Sequence, residues 1–89
     1  MAVKYFANID GVKNGTVGRQ LQPLLTNEFE DYRPQVQPGE HLYMLLTGIL
    51  ESIMVLVDSK SEYDHFYGQY RSGAYVTHSL YALPATAVR

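Results

Sequence analysis

The sequence predicts a single α+β domain, residues 1–89, in which two or three strands pack with three helices and the terminal strands pair. Both ends of the chain alternate apolar and polar residues, as strands with one buried face do. In the middle of the chain, apolar residues recur every three or four positions, as they do in amphipathic helices. A chain of 89 residues supports one hydrophobic core.

The first predicted strand covers residues 2–9, and Asp10-Gly11 ends it. One face of this strand carries Val3, Tyr5, Ala7 and Ile9. Asn14-Gly15 is a second turn signal, so we expect Thr16 to Gln20 to return as a short second strand.

A short helix is predicted over residues 23–32. Pro23 suits the first position of a helix, and Arg33-Pro34 stops it. The apolar face of this segment consists of Leu21, Leu24, Leu25, Phe29 and Tyr32. Residues 35–39 then serve as a connector.

The longest predicted helix covers residues 39–59. On a helical wheel its aliphatic residues share one sector, and the polar residues collect on the opposite side. Those polar residues are Glu40, Thr47, Gly48, Glu51 and Asp58. The alternative is two buried strands on either side of Thr47-Gly48, but it does not explain why polar residues recur at helical spacing.

The third predicted helix begins near Lys60, because Ser59 and Glu62 have the spacing of a capping box. Ser72-Gly73 ends this helix. Its apolar face carries Tyr63, Phe66, Tyr67 and Tyr70.

The last predicted strand covers residues 74–82 and ends before Pro84. One face carries Val76 and Leu80, and the other carries Tyr75 and Tyr81. Because so short a chain is not expected to cover both faces of the strand, we expect the aliphatic face to enter the core and the tyrosines to stand outward.

These outward tyrosines form a predicted protein-contact surface, since tyrosine brings a large apolar area and a polar tip to interfaces. A second contact surface is predicted on the polar side of the long helix, where two apolar residues interrupt the polar sector. The predicted protein-interface residues are Tyr67, Tyr70, Tyr75, Tyr81, Met44 and Val55.

Composition excludes several other classes of partner. The formal net charge is −2, so no basic surface is expected to bind nucleic acid. The apolar run over 42–57 is interrupted by polar residues, and the N-terminus lacks the pattern of a signal peptide. We therefore expect no membrane contact and no secretion through a signal peptide, and a cytoplasmic or virion location.

The sequence also lacks a catalytic or ligand-binding pattern. His41, His65 and His78 are spaced by 24 and 13 residues, too far apart for a local metal-binding pair, and cysteine is absent. Ser79 and Thr77 flank His78 but lack a nucleophile elbow. We therefore predict no catalytic, cofactor-binding or metal-binding residue.

One local resemblance involves residues 4–13, KYFANIDGVK. This segment resembles the opening strand and turn of secretion-tube proteins of the Hcp type, which are related to phage tail tubes. It covers ten residues, and the helices predicted for the rest of the chain do not follow a β-barrel tube subunit.

The sequence thus favours a non-enzymatic protein-interaction module. Its expected context is a larger assembly, such as phages encode, in which it serves as a subunit or accessory protein. Its partner is a second copy or another protein. The alternatives are a small inhibitor that docks on a host enzyme or nucleoprotein and, third, a small enzyme.

Overall fold

The computed structural model describes residues 9–15, 17–22 and 28–84. Within these ranges the chain forms α1 (Ile9–Lys13), β1 (Arg19–Gln20), α2 (Phe29–Tyr32), β2 (Glu40–Thr47), β3 (Ser52–Leu56), α3 (Lys60–Arg71) and β4 (Thr77–Pro84). A 3-10 turn, Arg33–Gln35, follows α2 directly. Within the described residues the strands form one four-stranded antiparallel sheet in the order β1-β4-β2-β3. The protein is therefore an α+β domain, but the predicted count of two or three strands is wrong.

The predicted helix over 39–59 is wrong, because this segment forms β2, a tight turn and β3. The two strands pair in antiparallel register from Tyr43 opposite Leu56 to Thr47 opposite Ser52. β2 also pairs with β4 and is buried on both faces, so its apolar residues are continuous rather than alternating. Two buried strands on either side of Thr47-Gly48, the alternative interpretation, is the correct one.

The predicted strand over 2–9 and its pairing with the C-terminal strand lie outside the described residues, apart from Ile9, which begins α1. The segment 9–13 of the tube-like resemblance is therefore helical. Of the predicted second strand over 16–20, residue 16 lies outside the described ranges, and within 17–20 only Arg19 and Gln20 are in β-structure, where they pair with Ala82 and Tyr81. These two residues form a short edge of the sheet.

In the described part of the predicted helix over 23–32, residues 28–32, the chain forms α2, a single turn that continues into the 3-10 turn. Residues 23–27 lie outside the described ranges. Pro34 lies inside the 3-10 turn, which Val36 closes by donating its N–H to the Arg33 carbonyl at 3.0 Å. The helical segment therefore ends about three residues later than Arg33-Pro34 predicts.

The predicted third helix is confirmed as α3. The Ser59 hydroxyl oxygen accepts the N–H of Glu62 at 3.3 Å, and its proton is donated to the Glu62 carboxylate at 3.0 Å. This capping arrangement satisfies one of the free amides at the start of the helix. Gly73, with φ of 95°, ends the helical segment as predicted.

Both faces of the sheet are covered, which contradicts the expectation that only one would be. Side chains of α3 pack on one face, and α1 covers the other. The first face consists of Leu42, Met44, Leu46, Val55, Val57, Leu80 and Ala82, with Tyr63 and Phe66 of α3. The second consists of Tyr43, Leu45, Met54, Tyr81 and Leu83, with Val12 of α1.

Asp58 connects three separate segments at the start of β2. Its carboxylate accepts the N–H of Leu42 at 2.9 Å and contacts His41 Nδ1 at 2.7 Å. The guanidinium of Arg33 lies 3.6 Å from the same carboxylate. The 3-10 turn and both strands of the hairpin are therefore held together at this end of the sheet.

Candidate protein-contact site

Three large apolar side chains are exposed in the described part of the chain, and all three lie at one end of the sheet. Ile49 is 91% exposed and Leu50 96%, and they form the turn between β2 and β3. Val76, 63% exposed, directly precedes β4 and donates its N–H to the Thr47 carbonyl at 2.8 Å. We call these three residues the apolar tip.

The composition of this turn is unusual for a hairpin. The N–H of Gly48 donates to the carbonyl of Glu51 at 2.8 Å and closes a two-residue loop of Ile49 and Leu50. Such loops normally use Asn, Asp or Gly, because these residues adopt turn conformations easily. Ile49 and Leu50 provide neither turn chemistry nor core packing. Departures from local sequence rules concentrate at functional or strained sites, so this turn is a candidate functional site.

A groove of about 360 Å³ lies beside the apolar tip. One wall is the hairpin turn, residues 48–51. The other is formed by Gln69 near the end of α3 and by residues 73–76, which lead into β4. Together the groove and the apolar tip form one surface, which we call the tip groove.

Two polar side chains stand on opposite walls of the tip groove. Glu51 is exposed, and none of the ion pairs formed by the described residues involves its carboxylate. Gln69 lies across from it, with its side-chain nitrogen 3.2 Å from His65 Nε2. The site is therefore an apolar surface that contains one unpaired negative charge.

Ring contacts in an aromatic cluster pack α3 against the rest of the protein. Tyr63 is buried, and its ring stacks on Tyr67 at 6.0 Å between ring centroids and contacts Phe29 at 5.7 Å. Burial raises the pKa of the Tyr63 phenol well above its usual value, and the neighbouring Tyr32 makes a smaller contribution in the same direction. This tyrosine is therefore a neutral part of the core.

The aromatic cluster continues toward β4 through a half-buried histidine. The His78 ring centroid lies 4.3 Å from that of Tyr70 and 5.3 Å from that of Tyr67. The guanidinium of Arg71 lies over the Tyr67 ring at 6.0 Å. Burial lowers the pKa of His78, because an apolar environment disfavours the charged imidazolium.

The six predicted interface residues do not form one surface. Tyr75 lines the tip groove, and Tyr67 and Tyr70 are half-buried around His78. Tyr81, expected to point outward, is only 7% exposed, because it packs in the second core.

Met44 and Val55 were expected on the exposed side of a helix and are instead fully buried. They lie opposite each other in β2 and β3, and both belong to the core on the α3 side of the sheet. Ile49 and Leu50 were missed because the predicted helix assigns both to its core-facing sector. The dipeptide Thr47-Gly48, in the middle of an apolar run, was the available signal for a turn.

The histidines lie apart and contact different residues. His41 contacts Asp58, whereas His65 lies near Gln69 and His78 lies between tyrosines. Within residues 9–15, 17–22 and 28–84, no three His, Cys, Asp or Glu side chains lie together as a metal site would require. In the same ranges, no helix has the length and apolar character needed to cross a bilayer.

Comparison of the chain with protein-family models, curated proteins and solved structures gives no match. The fold and the tip groove define a small α+β protein with an exposed apolar surface at one end of its sheet.

Proposed function

We propose that this protein is a non-enzymatic protein-interaction module, a subunit or accessory protein of a larger assembly, and that it contacts its partner through the tip groove. The observation that carries the proposal is the exposure of Ile49 and Leu50 at the hairpin turn. Burying each side chain against a partner would stabilise the complex by roughly 1.5–3 kcal/mol. Left in water, they contribute nothing to folding.

The other wall of the groove supports the same proposal. Tyr75 is half-buried there, so its position is held while part of the ring remains available for contact. Aromatic residues in such positions are common at the centres of interfaces, because they offer a large contact area with little loss of side-chain entropy. Val76 adds a further apolar contact on this wall.

Replacing the apolar tip tests the proposal. In the variant Ile49→Ser with Leu50→Ser, we expect partner binding to weaken by about 2 kcal/mol or more, the scale of interface hot spots. The fold should be retained, because both side chains are more than 90% exposed. Partners are captured from an extract of the source organism and identified by mass spectrometry, and their affinity is then measured by calorimetry. Sedimentation of the purified protein measures self-assembly.

The matched control is Gln37→Ser with Pro38→Ala, in the exposed turn before β2, at the opposite end of that strand. It should bind as the wild type does. Unchanged affinity in the Ile49 and Leu50 variant would show that the contact surface lies elsewhere. Capture of an enzyme that loses activity on binding would favour the inhibitor over the assembly subunit.

A further inference from the structure

We propose that the tip groove binds a short apolar peptide segment of another protein, with a lysine or arginine of that segment placed against Glu51. This inference rests on the function proposed above and specifies the chemistry of the partner. It depends on the size of the groove, the unpaired charge of Glu51 and the distribution of apolar surface.

The size of the groove suits a short peptide segment of a partner better than the broad surface of a folded protein. Its volume of about 360 Å³ lies near the lower end of the range for pockets that enclose small ligands or a few side chains. The groove is lined by nine residues, whereas each side of a standard protein–protein interface contributes roughly 20–30 residues. A few consecutive side chains are enough to fill it.

The charge of Glu51 determines the polarity of that segment. Glu51 is the acidic residue that lines the groove, and it has no ion-pair partner among the described residues, whereas Glu40 pairs with Arg19 and Asp64 pairs with Lys60. An apolar occupant would take water away from the Glu51 carboxylate, and an unpaired carboxylate removed from water is destabilising. A lysine or arginine on the occupant compensates for this loss by forming a charge-assisted hydrogen bond.

A second copy of the chain fits the site less well. In the described residues, the exposed large hydrophobics all belong to the apolar tip itself, so two copies would bury this surface only by meeting tip to tip. A two-fold contact of that kind brings the two Glu51 carboxylates into one patch. Like charges brought together at an interface oppose association.

Selection from a random-peptide display library tests the inference, with the wild type and Glu51→Lys as parallel targets. We expect the wild type to enrich apolar peptides that contain Lys or Arg, and Glu51→Lys to enrich apolar peptides that contain Asp or Glu. Glu51 is exposed, so the variant should keep the wild-type thermal transition. Synthetic copies of the enriched basic peptides should bind Glu51→Lys about tenfold more weakly, equivalent to about 1.4 kcal/mol.

The neutral variant Glu51→Gln separates charge from shape, and it should give a smaller loss than Glu51→Lys. Enrichment of the same peptides on both targets, or of none on the wild type, overturns the inference. The proposed function survives that result if Ile49→Ser with Leu50→Ser still abolishes partner capture. A dimer that the same double variant dissociates would assign the site to a second copy instead.

Discussion

Gly18 lies so close to β4 that a side chain at this position would collide with it. Gly18 and Gly15 both have a positive φ, of 71° and 81°. A Cβ on Gly18 would collide with the Leu83 side chain and lie 2.6 Å from the Ala82 carbonyl oxygen, whereas a Cβ on Gly15 would have nothing within 4 Å. The two positions therefore share the same backbone requirement but differ in the space around them.

Alanine substitutions at the two glycines should separate these effects. Gly15→Ala should lower the free energy of unfolding by about 1–2 kcal/mol, the strain of a left-handed conformation. Gly18→Ala should lower it by about 2–5 kcal/mol, because overpacking adds about 1–3 kcal/mol to the same strain. Denaturant unfolding measures both. Equal losses would show that β1 moves away from β4 without penalty.

The half-buried His78 should make stability depend on pH. Its pKa is lowered from 6.5 by burial, so the folded protein prefers the neutral ring. This contribution is complete above pH 6.5 and is lost as the pH falls below that value, because the unfolded chain binds the proton more readily. The loss should be less than about 1 kcal/mol, since solvent screens a group that is only half-buried.

The measurement compares wild-type unfolding with that of His78→Gln between about pH 7 and about pH 5. The variant should lose less stability on acidification than the wild type does. The other histidines, His41 and His65, are present in both proteins, so the difference between the two proteins reports on His78. Identical pH dependences would show that the Tyr67 and Tyr70 rings stabilise the imidazolium as much as burial destabilises it.

Among the elements, α3 could be predicted from its sequence because its signals are local. Ser59 and Glu62 mark its start, and Ser72-Gly73 marks its end, whatever the rest of the chain does. β4 could also be predicted, although it begins at Thr77 rather than at residue 74 and includes Pro84, where the sequence predicts that it has already ended. Val76, expected in the core, therefore lies before the strand and is exposed.

Local signals could not distinguish the β2–β3 hairpin from a helix. A strand buried on both faces loses its two-residue alternation, and a run of apolar residues then fits a helix equally well. The polar residues at helical spacing mark the strand ends instead: Glu40 begins β2, and Asp58 follows β3. Only the pairing of distant segments distinguishes the two structures.

The candidate site, like the hairpin, could be predicted from the sequence only in part. The sequence predicts Tyr75 as a contact residue from the strand face that it shares with Tyr81; in the structure Tyr75 precedes β4 and lines the tip groove. Ile49 and Leu50 could not be identified, since exposure at a turn becomes evident only once the hairpin is known. The groove itself depends on packing between the hairpin turn and the end of α3, which lie about twenty residues apart in the chain.

At the scale of the whole molecule, the protein is a sheet with a core on each side. The sequence-based expectation was one buried face, because small domains bury a limited fraction of their surface. Both faces of the sheet can be buried in so short a chain for two reasons. The same strands contribute side chains to both cores, and α1 and β1 use only five and two residues. Leu46 and Leu83 are both fully buried, one in each core.

These two leucines provide a matched test of the two-core structure. Leu46→Ala and Leu83→Ala remove the same atoms from fully buried positions on opposite faces, so each should lower the free energy of unfolding by about 2–5 kcal/mol. Both variants should unfold in a single transition, because β2 and β4 belong to both cores. Calorimetry measures the transition, and tyrosine fluorescence follows it independently. A loss of less than about 1 kcal/mol for Leu83→Ala would show that side chains on the α1 side of the sheet are weakly packed. The free energy of unfolding would then depend on the core on the α3 side.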